Sequence, residues 1–244
     1  MSDSLRILVI DDDPVMRELL EAVLGFAGHT VETVESGDIA VVQLEAMGVR
    51  PDVVLTDLHM PGLQGHALAS RLLGLRTPGT VLVGMSGSYP SEEEKRLLDY
   101  FLQKPFSPEQ FEEALRVART QRTGGPQAMA PEAADGTAVL DEAIFTRLAE
   151  TLPNAQLREL YTLTLDDVQG RVTRMLDGAA SGEIADVRRE AHAIKGSCGM
   201  VGARELYSLA ATTEGGTAAD TMPLALFAPA CERLKRMLDE RLTS

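Results

Sequence analysis

From Leu5 to about Arg119 the chain alternates short β-branched apolar runs with longer amphipathic stretches, a pattern that narrows the possible folds more than any other feature. The runs are LRILVI, TVETV, DVVLT, TVLVG and YFLQK, and the stretches that follow them begin near Pro14, Gly37, Gln64, Ser91 and Pro108. Five strands, each followed by a helix, predict an α/β domain with a doubly wound parallel sheet and helices on both faces. In such a sheet a ligand site lies beyond the carboxyl ends of the strands.

The alternation stops at Thr120. Residues 120 to 138, TQRTGGPQAMAPEAADGTA, are rich in Gly, Pro, Ala, Thr and Gln and predict a linker of moderate flexibility. Beyond it there is no convincing strand. Segments starting near Leu140, Ala155, Gly182, Ala203 and Pro223 repeat apolar residues at three and four, separated by Gly or Pro breaks, and predict a five-helix, all-α bundle. The expected boundaries are residues 4–121, a linker at 122–138, and residues 139–244. The stretch TTEGGTAADTMP, residues 212 to 223, reads as a loop outside any site.

A chain of 244 residues can bury a core in each of two small domains. Its net charge of −14, 4% aromatic content and lack of Trp exclude a reader of nucleic acid, which would need basic patches and stacking side chains. The acidity is uneven: residues 1–120 hold 10 Lys/Arg against 19 Asp/Glu, and residues 139–244 hold 12 against 16. Cys198 and Cys231 lie in helix-like apolar stretches, which favours a reduced, cytoplasmic setting. The opening MSDSLRILVIDDD is neither a signal peptide nor a membrane span.

Strand one ends in Asp11, Asp12 and Asp13, and strand three in Asp57. Where these strands are neighbours, their carboxylates meet in one crevice. Close carboxylates repel one another unless a cation joins them, and a hard divalent ion such as Mg2+ suits oxygen ligands. Strand four ends in GMSGS, bringing the Ser86 hydroxyl to the same edge, and strand five ends in Lys104 before Pro105. A carboxylate nucleophile, a metal, a hydroxyl and an ammonium are the parts that phosphoryl transfer requires. Asp13, directly before Pro14, fits a helix cap instead. No G-x-G-x-x-G follows strand one, and GMSGS is not a nucleophile elbow.

The third helix of the bundle carries an apolar stripe on Ile184, Val187, Ala191, Ile194 and Cys198, and His192 lies off its centre. Arg188, Lys195, Gly196 and Gly199 fall on the histidine's own face. Cations there would stabilise a phosphorylated imidazole, and Arg188, Arg189 and Lys195 predict a local positive patch. Interior glycines cost a helix about 1 kcal/mol each relative to Ala, a cost that close approach of a partner backbone would explain.

ILVIDDDPVMRELL, VVLTDLHMPGLQG and FLQKPF resemble the hallmark segments of response-regulator receiver domains, a flavodoxin-like family, over about residues 4 to 121. The resemblance implies that Asp57 is the phosphoacceptor, that Asp11, Asp12, Asp57 and the backbone carbonyl of His59 hold Mg2+, that Ser86 is the switch hydroxyl, and that Lys104 binds phosphate. Such a receiver catalyses its own phosphorylation and dephosphorylation. The family's rotating aromatic falls at Phe101, where Tyr is usual. AHAIKGSCGMVGA resembles the phosphoacceptor helix of histidine-containing phosphotransfer (HPt) domains, with the pattern H-x-x-K-G. That implies a phosphoryl carrier at His192, with Lys195 on the phosphate oxygens and Gly196 leaving room for a receiver loop. Without a G-x-x-x-x-G-K-[ST] motif, His192 is not expected to be charged from ATP by this chain. Together the resemblances imply a two-component phosphorelay protein whose partners are a sensor or hybrid histidine kinase and a downstream receiver, with no membrane or nucleic acid. A competing expectation is that the receiver is a phosphorylation-controlled switch gating partner access to the HPt module.

Overall fold

The structure, a computed structural model, describes residues 4–46, 50–87, 90–106, 108–120, 138–216 and 224–242. Most of the expected linker, Ser88 of GMSGS, residues 217–223 of the expected loop and the predicted helix start at Pro223 lie outside the described residues. The chain forms two compact units, Met1–Glu132 and Ala133–Ser244.

In the first unit β1 (Arg6–Ile10), β2 (Thr30–Val34), β3 (Val53–Asp57), β4 (Val81–Ser86) and β5 (Tyr100–Gln103) form one parallel sheet in the order β2-β1-β3-β4-β5. The central strand β3 is buried at every residue, which is why it opens on the consecutive apolar residues Val53, Val54 and Leu55 rather than alternating with polar ones. Helices α1 (Pro14–Phe26), α2 (Gly37–Ala46), α3 (Gly65–Leu75), α4 (Glu92–Lys95) and α5 (Pro108–Thr120) follow the strands in turn. Leu8, Ile10, Val54, Leu82 and Phe101 join Leu44, Leu68 and Leu72 of α2 and α3 in one core cluster. Alternate strand residues such as Val9, Leu55 and Val83 are fully buried and point to the opposite face. The Asp13 carboxylate accepts from the Val15 and Met16 amides, so it caps α1 with Pro14 at the first helical position.

The stretch from Ser91 departs from the expected amphipathic helix. A Ser91–Glu94 capping box starts it, but α4 ends after four residues. The amides of Leu97 and Leu98 bond the carbonyls of Glu94 and Lys95, tightening the chain, and Asp99 already joins β4 through its amide to the Leu82 carbonyl. Too little chain separates the cap from the sheet for a longer helix.

The second unit is helical: α6 (Glu142–Thr151), α7 (Asn154–Ser181), α8 (Ile184–Met200), α9 (Arg204–Gly215) and α10 (Leu224–Leu242). Val187, Ala191, Ile194 and Cys198 of α8 are buried as the stripe predicts, whereas Ile184 is only half-buried. Gly202, at φ +74, ends α8 with its amide on the Gly199 carbonyl and the Ala203 amide on the Cys198 carbonyl. A Cβ there would meet Ile144 at 3.0 Å, so only glycine turns the chain cleanly at this point. The turn folds α9 back along α8. Cys198 and Cys231 are buried and not joined in a disulfide. Among the described residues no helix is long and apolar enough to cross a membrane.

Candidate functional site

The strand ends of the first unit bring together every side chain expected there. Asp11 follows β1, Asp57 ends β3, Ser86 ends β4 and Lys104 follows β5. The Lys104 ammonium donates to Asp11 Oδ2 and to Asp57 Oδ2, each at 2.7 Å, and all three groups are buried. Asp12 is exposed, and its carboxylate lies within 4.8 Å of those of Asp11 and Asp57. Two carboxylates closing on one ammonium within a buried site are short of positive charge, and a third carboxylate increases the deficit. Burial pushes Asp11 up to about 7, with the nearby Asp57 and Asp13 charges adding to the rise and Lys104 opposing it. Burial and then the Asp57 charge raise Asp12 as well. Burial works against the Lys104 charge, but Asp11 and Asp57 outweigh it and hold the ammonium above the ordinary lysine value. The oxygen-only donor set of Asp11, Asp12 and Asp57 fits a hard divalent cation.

His59 connects the two halves of this crevice. Its amide donates to Asp57 Oδ1 at 2.7 Å, and its Nδ1 lies 2.9 Å from the Ser86 hydroxyl. The sequence reading used only the carbonyl of this residue; the imidazole's bond to Ser86 came from the fold. Phe101 is fully buried in the core cluster.

The second set lies on the bundle. The His192 side chain is 30% exposed on the flank of α8 away from the stripe. Its Nδ1 is 2.6 Å from Glu214 Oε1, and Lys195 Nζ donates to Glu214 Oε2. A carboxylate only accepts, so Nδ1 is the donor to Glu214, an arrangement that in the neutral imidazole puts the lone pair on Nε2. Burial favours the neutral acid of Glu214, but the hydrogen bonds from Lys195 and His192 outweigh it and lower its pKa.

Glu214 corrects the expected loop. Thr212 to Gly215 are the last residues of α9, and Glu214 is part of the site. The expected positive patch also needs correction. Lys195 is paired with Glu214, and Arg189 with Asp186 at 2.8 Å, while Arg188 donates to the Gly216 carbonyl. Acids three residues before Arg189 and across the helix hairpin neutralise most of the positive charge. At Gly196 a Cβ would meet nothing within 4 Å, so nothing among the described residues requires glycine there.

Residues 7–116 match the family model of the response regulator receiver domain, and residues 159–243 that of the Hpt domain. Sensor histidine kinase RcsC of Salmonella typhi is 34% identical over 122 residues, 48% of this chain and 12% of that protein. Virulence sensor protein BvgS of Bordetella bronchiseptica is 29% identical over 229 residues, 86% of this chain and 18% of that protein. This chain thus spans less than a fifth of the length of either relative. Response regulator TrrA of Thermotoga maritima, solved in complex with Mg2+-BeF, is 27% identical, covering 46% of this chain and 97% of that one with a TM-score of 0.42.

Proposed function

We propose that this chain, which contains a response regulator receiver domain followed by an Hpt domain, is a two-component phosphorelay protein that carries phosphoryl groups on Asp57 and on His192. The reading assigns the receiver to residues 4–121 and the Hpt bundle to 139–244, joined by 122–138. The observation that carries it is the Lys104 ammonium clamped between Asp11 and Asp57 beside Asp12, on a chain that also presents an imidazole held by its Nδ1.

Asp57 Oδ attacks the phosphorus of a phosphohistidine or acyl phosphate, and the donor's P–N or P–O bond breaks as the donor leaves. Lys104 neutralises the phosphoryl oxygens, and the Ser86 hydroxyl donates to one of them after leaving His59. Asp11, Asp12, Asp57 and the His59 carbonyl would hold Mg2+, which supplies the further positive charge that the transition state needs. At the second site the His192 Nε2 lone pair attacks an aspartyl phosphate, and the P–O bond breaks to release the carboxylate. No proton has to leave Nε2. The imidazole becomes cationic, and Glu214 on Nδ1–H stabilises it, as an orienting carboxylate does beside a catalytic histidine. Lys195 moves from Glu214 toward the phosphoryl oxygens. The kinase and the receiver that exchange phosphoryl with this chain are its expected partners; the sensor-protein relatives support that kind of partner.

Incubation with a small acyl phosphate and Mg2+ tests the first half. The wild type should take up a label that Asp57→Asn lacks and His192→Ala keeps. A wild type without Asp57-dependent label contradicts the reading.

A further inference from the structure

At the amino edge of the sheet, opposite Asp57, an open cavity of about 450 Å3 lies between the starts of three neighbouring strands. Arg6 opens β1, Arg50 and Asp52 precede β3, and Thr77 to Thr80 precede β4; all of them line it. Nη1 of Arg50 is buried and has no hydrogen-bond partner among the described residues. A guanidinium nitrogen withdrawn from water without an acceptor is costly, so an anion that met it would relieve that cost.

The lining's one acid is already engaged. Asp52 Oδ2 accepts from the Arg6 amide at 2.8 Å and lies 3.6 Å from Arg6 Nε, so these two charges offset each other. The hydroxyls are engaged as well: Thr80 donates to the Pro51 carbonyl at 2.9 Å, which leaves Thr77 to donate to Thr80 at 3.1 Å. What remains among the described residues of the lining is a guanidinium nitrogen without an acceptor, in a unit that is acidic overall. The walls are held in place: the Thr80 amide bonds the Thr77 carbonyl around Gly79, at φ +104, and the Asp52 amide bonds the Arg6 carbonyl.

We propose that this cavity binds the phosphate group of a small molecule, with Arg50 as the anchoring charge. The planar guanidinium matches an oxyanion in two-point geometry, and the anion supplies the acceptor that Nη1 lacks. The volume falls in the range of small-molecule sites, larger than a bare anion needs, so an organic body beside the phosphate has space.

Melting of the full chain without Mg2+, with inorganic phosphate or adenosine monophosphate added against sodium chloride of equal ionic strength, tests the site. Phosphate should raise the wild-type melting temperature saturably beyond the salt control, and the monophosphate should do so at a lower concentration. Arg50→Met should weaken either ligand by about tenfold or more, the loss expected for one charged hydrogen bond. In phosphate-free buffer that variant should melt above the wild type, because it removes an unpaired charge. Arg50→Lys should bind with intermediate strength, and Arg71→Ala, which removes an exposed cation paired with Glu45, should respond like the wild type. The proposal is overturned if phosphate stabilises the wild type no more than salt does, if Arg50→Met keeps the full response, or if it melts below the wild type without phosphate.

Discussion

Asp57 and His192 differ first in how much water reaches them. The Asp57 side chain is 12% exposed, with those of Asp11 and Lys104 at 0% and 6% around it, whereas the His192 side chain is 30% exposed and its partners Glu214 and Lys195 are 28% and 19%. The first site concentrates charge in a dry crevice where electrostatics are strong and ions are expensive. The second holds a partly exposed imidazole with the Glu214 carboxylate on its Nδ1. Under the proposed function, the difference divides the labour of transfer: the receiver crevice would supply the stabilising charges, and the histidine face would present a nucleophile to such a crevice.

If that division holds, the same kind of substitution should act very differently at the two places. The largest contrast is chemical. Asp57→Asn should reduce acyl-phosphate labelling at least about a hundredfold, as loss of a nucleophile does, while leaving charging of His192 by a separate phosphorylated receiver at the wild-type rate. Slower charging in that variant would instead mean that Asp57 gates the second unit. In stability, Lys104→Met should cost roughly 3–5 kcal/mol in urea unfolding without Mg2+, because it strands two carboxylates, and Mg2+ should restore part of it. His192→Ala should lie within about 0.5 kcal/mol of the wild type.

Asp11 sharpens the comparison through pH. Its carboxyl is raised to about 7 in the folded chain, so the proton is held more tightly folded than unfolded. The stability it contributes is therefore full below the ordinary aspartate range and is lost as pH rises through about 7. Asp11→Asn should accordingly stabilise the Mg2+-free protein at pH 8 by roughly 2–4 kcal/mol, and little at pH 4. Glu214→Gln should leave the melting temperature nearly unchanged and slow His192 phosphorylation about tenfold, with the imidazole tautomer seen by nitrogen NMR no longer fixed on Nδ1–H. Retained rate and tautomer would remove Glu214 from the site. Gly196→Ala should be the smallest effect on folding, a gain of about 1 kcal/mol, since its Cβ meets nothing. A slower exchange with receiver domains in that variant would show that the space is kept for a partner.

The sheet was legible because a parallel strand buried on both faces needs a short apolar, β-branched run, which the VVL of β3 supplies before its polar carboxyl end. With strands one and three taken as neighbours, the convergence of Asp11, Asp57, Ser86 and Lys104 followed from their places at strand ends. His192 was legible as a non-core residue from the stripe alone. Glu214 was missed because the glycines after it made TTEGG resemble a loop, although the signal existed: Gly202 lies ten residues after His192 and twelve before Glu214, so a helix hairpin turning there sets the two side by side. The positive patch failed for a related reason. Counting cations on one helix ignored Asp186 on the same helix and Glu214 on the next. The His59–Ser86 bond joins residues 27 positions apart through loop geometry that no spacing rule reports.

Detection of phosphohistidine on the full chain tests the central claim most directly. The protein is mixed with a phosphorylated receiver domain and Mg2+, and the linkage is read by phosphorus NMR. The account predicts an Nε2-phosphohistidine signal that His192→Ala abolishes and Asp57→Asn retains. Phosphate found only on Asp57, with no histidine signal from any phosphorylated receiver supplied, would contradict it.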